Sequence, residues 1–172
     1  IGQSYYNCYK QILIGAQAAR TKYVACCEDD TLYPPEHFKH RPSADDVFAY
    51  NANLWLAENR LFWKHGDSGM CACIATAENI VRVLSARYEM YPTEIPTGKR
   101  GNRNFQEPGR FDRKFGIPDA KMEHFVTEIP VIVFNRRQSL GGKRGLRRNE
   151  HEYAASLNGW GRAHDVWGRF WN

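Results

Sequence analysis

Apolar residues recur at two different periods along this chain, and the switches between them mark out its elements. From Ser4, the positions Tyr5, Tyr9, Ile12, Leu13, Ala16 and Ala19 fall three and four apart, so they share one face of a helix that Ser4 caps and Arg20-Thr21-Lys22 ends. The run Tyr23-Val24-Ala25-Cys26-Cys27 is continuously apolar and reads as a strand buried on both faces, of the kind found inside a parallel sheet. Three acids, Glu28, Asp29 and Asp30, end it, and Leu32-Tyr33-Pro34-Pro35 leads into a short helical turn at Glu36-His37-Phe38. Residues 47–56 and 60–65 are rich in aromatic and β-forming side chains and predict two strands joined by a turn at Glu58-Asn59. Asn51, Asn53 and Trp55 alternate, which places them on one strand face, either wet or turned toward a ligand.

Beyond a tight turn at Gly66-Asp67-Ser68-Gly69, the pattern predicts a strand over 70–74 and a helix over 76–88 capped by Thr76, with Ile80, Val81, Val83 and Leu84 toward the core. Residues 90–119 are broken by prolines and glycines into a long loop, of a length that is usually functional or disordered. A short helix over 118–125 and a strand over 128–135 restore order, and a polar, aromatic tail with Trp160, Trp167 and Trp171 closes the chain. A helix running straight into a buried strand looks like part of a βαβ crossover whose first strand is missing, so the expected class is α/β.

Composition narrows this picture. A length of 172 residues suits one domain with a sizeable core. No apolar stretch reaches the ~20 residues of a membrane span, and the start lacks the basic and apolar regions of a signal peptide. Five cysteines, with no C-x-x-C pair, fit reduced thiols better than a zinc knuckle, which together with the missing leader points to the cytoplasm. The net charge of +5 is concentrated at 99–103 and 136–148. Such segments suit phosphates of a nucleotide or nucleic acid, or form solvated loops.

The acids admit two readings. Clustered carboxylates at the end of a strand repel one another unless a cation, or a cation carrying phosphates, shares the site. Alternatively one acid caps the next turn and the others are solvated.

YVACCEDDTLYPPEHF, followed by FAYNANLWL, EPGRF and EIPVIVFNRRQSLGGKR, resembles the GT-A type glycosyltransferases, particularly family-2-like members of bacteria and their phages. The resemblance spans most of residues 4–145. It implies a GT-A-like, Rossmann-like mixed sheet flanked by helices and lacking the first β-α-β nucleotide-binding unit, so that 1–172 would be one catalytic domain, complete or a fragment, with a basic, Trp-rich tail from 136. It also implies a nucleotide-sugar donor, a UDP-sugar first, bound through Mn²⁺ or Mg²⁺ at Glu28 and Asp30, the outer acids of an E-x-D form of the family's motif. His151 is the nearest downstream residue for the family's late metal-binding histidine, and His124 lies upstream. Glu107 is the first choice for the base that takes the acceptor's proton, with Asp112 and Asp67 behind it. Arg137, Lys143 and Arg144 would close over the phosphates, and Asn51, Asn53 and Trp55 would line the substrate. The acceptor would be a saccharide or a hydroxymethylated base in DNA, and a second copy or a partner chain would complete the nucleotide pocket. A non-catalytic binding module for nucleotide-sugar or nucleic acid is the alternative.

Overall fold

The structure, a computed structural model, describes residues 4–58, 60–65, 69–93, 105, 107–110, 112, 120–134 and 152–171. It is a mixed α/β chain that divides into two compact units. The first comprises Ile1–Cys26, Arg41–Tyr50 and Cys73–Glu123; the second comprises Cys27–His40, Asn51–Ala72 and His124–Asn172. No described helix is long and apolar enough to cross a membrane.

In the first unit, helix α1 (Tyr5–Ala18) starts where its cap predicts, because the Ser4 hydroxyl accepts the Asn7 N–H at 3.1 Å. It buries Tyr9 and Ala16 and packs against α2 (Ala77–Met90). The hydroxyl of Thr76 does two jobs at the head of α2: it accepts the Asn79 N–H at 3.1 Å and donates to the Asp45 carbonyl at 2.9 Å. Ile80, Val83 and Leu84 line its fully buried face, while Val81 is only half-buried. A four-stranded sheet accompanies the helices, in the order β1 (Tyr23–Cys26), β6 (Cys73–Thr76), β3 (Val47–Asn51), β7 (Lys121–Phe125).

The second unit holds a five-stranded mixed sheet in the order β2 (Thr31–Leu32), β8 (Val131–Phe134), β4 (Leu54–Glu58), β5 (Leu61–Lys64), β9 (Tyr153–Ala154). Here β4 and β8 run parallel and the other neighbours antiparallel. Alternation along the strands sends side chains to two faces. Trp55, Ala57, Phe62, Ile132 and Phe134 pack with Ala163 and Val166 of α3 (Ala163–Trp171) and with Trp160 and Trp167. Leu54 and Val131 instead join Cys71 and Ala72 of the 3-10 turn Met70–Ala72, along with Tyr33. The described part of the polar, aromatic tail, residues 152–171, is folded: a small hairpin, β10 (Ser156–Leu157) and β11 (Gly161–Arg162), and α3 cover one sheet face.

Four other expectations are corrected. The strand at 23–27 lies at a sheet edge and runs antiparallel to β6, with only Cys26 fully buried, rather than at the centre of a parallel sheet. A short apolar run carries no information about the direction of its partner. The stretch 47–56 is two strands, not one: β3 belongs to the first sheet and β4 to the second, with the change at Ala52-Asn53. Residues 70–72 form a 3-10 turn before β6. Finally, 121–125 is strand β7 rather than helix. The Glu123 carboxylate takes the Ser43 N–H at 3.0 Å, and Lys121 pairs with Asp46 at 2.6 Å, so pairing with residues far back in the chain outweighs local preference.

Candidate functional site

The acid segment joins the end of β1 to the start of β2, and its backbone is held at both ends. Glu28 N–H donates to the Tyr33 hydroxyl at 2.9 Å, and that hydroxyl donates to the Cys71 carbonyl at 2.8 Å. At the other end the Asp30 carbonyl accepts the Phe134 N–H at 2.9 Å, continuing the ladder in which Thr31 lies opposite Val133. Burial raises the Tyr33 phenol, chiefly by desolvation, so it stays a donor at any ordinary pH. The side chains differ in setting: Glu28 and Asp29 are exposed, whereas Asp30 is 9% exposed with the Thr31 hydroxyl 3.5 Å from its Oδ1. Sequence reasoning found the acids but missed Tyr33. The signal was there, since a tyrosine stands just after the acids and directly before two prolines that fix its backbone.

The second unit also holds a buried polar chain. Asn51, fully buried, donates through Nδ2 to the Thr127 hydroxyl at 2.8 Å and lies 3.3 Å from His37 Nδ1. An amide nitrogen only donates, so Nδ1 accepts and the ring proton sits on Nε2. That atom is buried and has no hydrogen-bond partner among the described residues. Desolvation first, and the nearby His40 second, lower the His37 pKa to about 4. Its ring stacks on Phe125, with centroids 5.7 Å apart. Glu36, beside it, accepts the Ile129 N–H at 2.7 Å.

Asn53 continues the chain. Its N–H donates to Asn51 Oδ1 at 2.9 Å, and its Nδ2 donates to the Thr127 carbonyl at 2.8 Å. Its Oδ1 accepts from Trp55 Nε1 at 2.9 Å and Lys64 Nζ at 3.3 Å. Lys64 also lies over the Trp55 ring, 5.3 Å from its centroid, and burial lowers its pKa. Asn51, Asn53 and Trp55 therefore do not share one strand face; they brace the passage from β3 to β4 with hydrogen bonds that close within the protein.

Glu107 and Asp112 belong to the first unit. Asp112 is buried and accepts from Arg87 Nε at 2.8 Å and Nη2 at 2.5 Å, and its other oxygen accepts the Gly109 N–H. Arg87 is itself fully buried and lies over the Tyr9 ring. Pro108 accepts the Tyr50 hydroxyl at 2.8 Å, and Phe105 sits edge-on to Tyr6. Half-buried Glu107 is thus carried on a segment anchored before and after it. Both Asp112 oxygens accept hydrogen bonds in that anchoring, so its carboxylate supports the segment. His124 lies exposed on β7. Asp67, Arg137, Lys143, Arg144 and His151 lie outside the described residues.

Among the described residues, no group of three His, Cys, Asp or Glu side chains is arranged to hold a metal. A ready-made cage for a resident ion is therefore not what these residues form. Carboxylate oxygens are in general the donors that a hard divalent ion takes, and Mg²⁺ usually completes its shell with phosphate oxygens of a substrate. Comparison with known protein families, characterised proteins and solved structures finds no match to this chain.

Proposed function

We propose that the chain is the catalytic part of a glycosyltransferase that takes a nucleoside-diphosphate sugar, a UDP-sugar first, together with Mn²⁺ or Mg²⁺. The observation that carries the reading is the double hold on the acid segment. Tyr33 fixes the backbone at Glu28 and β8 fixes it at Asp30, so two carboxylates two positions apart are presented from an ordered backbone. Ordering a segment in advance lowers the entropy lost on binding, and a merely solvated acidic turn has no need of it. Glu28 and Asp30 are the residues that would meet the cation of the donor. When bound, such an ion supplies positive charge to the departing diphosphate.

Calorimetric titration with UDP-glucose, with and without Mn²⁺, tests this. Binding is expected only with the ion, and to weaken by roughly ten-fold or more in Glu28→Ala and in Asp30→Ala. Equal binding with and without the ion, or unchanged binding in both variants, overturns the reading. A salt series with the active protein then separates the acceptors, because transfer to DNA falls steeply with salt and transfer to a saccharide does not.

A further inference from the structure

All five cysteines are thiols in this structure, and two of them face each other across the first sheet. Cys26, the last residue of edge strand β1, lies opposite Cys73, the first residue of β6. The pairing is antiparallel, and the Ala77 N–H donates to the Lys22 carbonyl at 2.9 Å just beyond it. Counting in steps of two from that bonded pair brings Cys26 and Cys73 to a hydrogen-bonded pair as well. Such pairs hold their Cα atoms about 5.5 Å apart, inside the roughly 4.4–6.8 Å range of disulfides, while their Cβ atoms, about 5.5 Å apart, must close by roughly 1 Å to bond, a shift that the end residue of β1 supplies. Residues directly opposite point to the same face, so the two sulfur atoms lie on one side of the sheet. Both side chains are buried, and Cys73 lies opposite Tyr50 of β3, whose phenol is raised first by its own burial.

We infer that Cys26 and Cys73 form a cross-strand redox site, which a disulfide oxidant such as oxidised glutathione converts to an intramolecular disulfide. The two S–H bonds break and one S–S bond forms. Two electrons and two protons pass to the oxidant, which leaves as two molecules of glutathione. Access comes from the edge: among the described strands β1 pairs with β6 alone, and local opening of its last residue releases Cys26 for attack. The neighbouring Cys27 lies just past the end of β1 and is exposed, so it takes up glutathione without closing this bridge. The bridge ties down the strand that leads directly into Cys27-Glu28-Asp29-Asp30. The inference does not depend on the transferase reading.

The test is peptide mapping of the whole chain after treatment with oxidised glutathione and alkylation under denaturing conditions. The expected result is a linked peptide pair containing Cys26 and Cys73, two fewer alkylated thiols, and the same link in Cys27→Ser. The closed loop raises the melting temperature by roughly 10 °C, and a thiol reductant reverses the rise. Cys73→Ser removes the link. A result in which Cys26 and Cys73 stay alkylatable while Cys27 is glutathionylated, or in which Cys26 is found bridged to another cysteine, overturns the inference. Because the mapping is read on the natural chain, poor folding of a serine variant does not obscure the outcome.

Discussion

The Arg87–Asp112 pair separates a supporting role from a catalytic one in a single substitution. Arg87 is fully buried and Asp112 is 1% exposed, with the guanidinium bound through two nitrogens to one carboxylate oxygen. In Asp112→Asn the guanidinium keeps its charge without a counter-charge, in a place where water cannot replace the lost partner. Breaking a buried pair from one side costs about 3–5 kcal/mol. For a chain of this length each kcal/mol is worth roughly 2–4 °C, so the melting temperature should fall by about 10 °C. Removing both charges with Arg87→Met and Asp112→Leu together should recover most of the loss, since a packed apolar pair needs no desolvation of ions. Circular dichroism melts of the three proteins measure both effects. An Asp112→Asn protein that melts within about 2 °C of the natural chain but transfers no sugar would refute the argument and return Asp112 to the list of proton acceptors.

Acid should weaken the second unit through His37. Its folded pKa of about 4 lies below the ordinary histidine value of 6.5, so the unfolded chain binds the proton first as pH falls. The neutral ring's advantage is whole above about pH 6.5 and is lost progressively toward pH 4. With allowance for screening it amounts to about 2–3 kcal/mol. Urea midpoints at pH 7.5 and 4.5 should converge in His37→Gln relative to the natural chain; parallel slopes in both would assign the acid sensitivity elsewhere. At the head of α2, Thr76→Ala deletes both the cap on Asn79 and the bond to the Asp45 carbonyl, and should cost about 1–2 kcal/mol. Thr76→Ser should stay close to the natural midpoint in the same urea titration, and a loss equal to that of the alanine would mean that the methyl group, not the hydroxyl, matters.

What could be read in advance was what depends on near neighbours. Both helix starts, at Ser4 and Thr76, follow from a hydroxyl and an amide three residues on, and both hold in the structure. The apolar core of β8 is likewise visible as Val131-Ile132-Val133-Phe134. Failures cluster where partners are far apart. Nothing local in Tyr23–Cys26 says that its only described strand partner begins at residue 73, and nothing local in Lys121–Phe125 announces Asp46 and Ser43. The strands of the Trp-rich tail are two residues long, too short to show a period; its order comes from a distant face, with Trp160 Nε1 donating to the Pro130 carbonyl at 2.8 Å. At the candidate site the charged residues were legible by type, but the hold on them was not. Tyr33 reaches across 38 residues to Cys71, and Asn53 reaches Thr127 across 74.

That distinction between charge and hold also decides how the acid segment should be dissected. The bonds that fix it, from Glu28 N–H to Tyr33 and from Phe134 N–H to the Asp30 carbonyl, involve main-chain atoms of the acids. Replacing either carboxylate leaves those bonds in place, so weakened donor binding in Glu28→Ala or Asp30→Ala reports lost charge. Tyr33→Phe does the reverse: it keeps every carboxylate and removes the hydroxyl that the Glu28 amide and the Cys71 carbonyl share. If pre-ordering contributes, Tyr33→Phe should lower affinity while leaving the requirement for Mn²⁺ intact, whereas the alanine variants should lose that requirement with the affinity. If the segment were only a solvated acidic turn, no such separation could arise, because neither the order nor the charge would be coupled to a ligand.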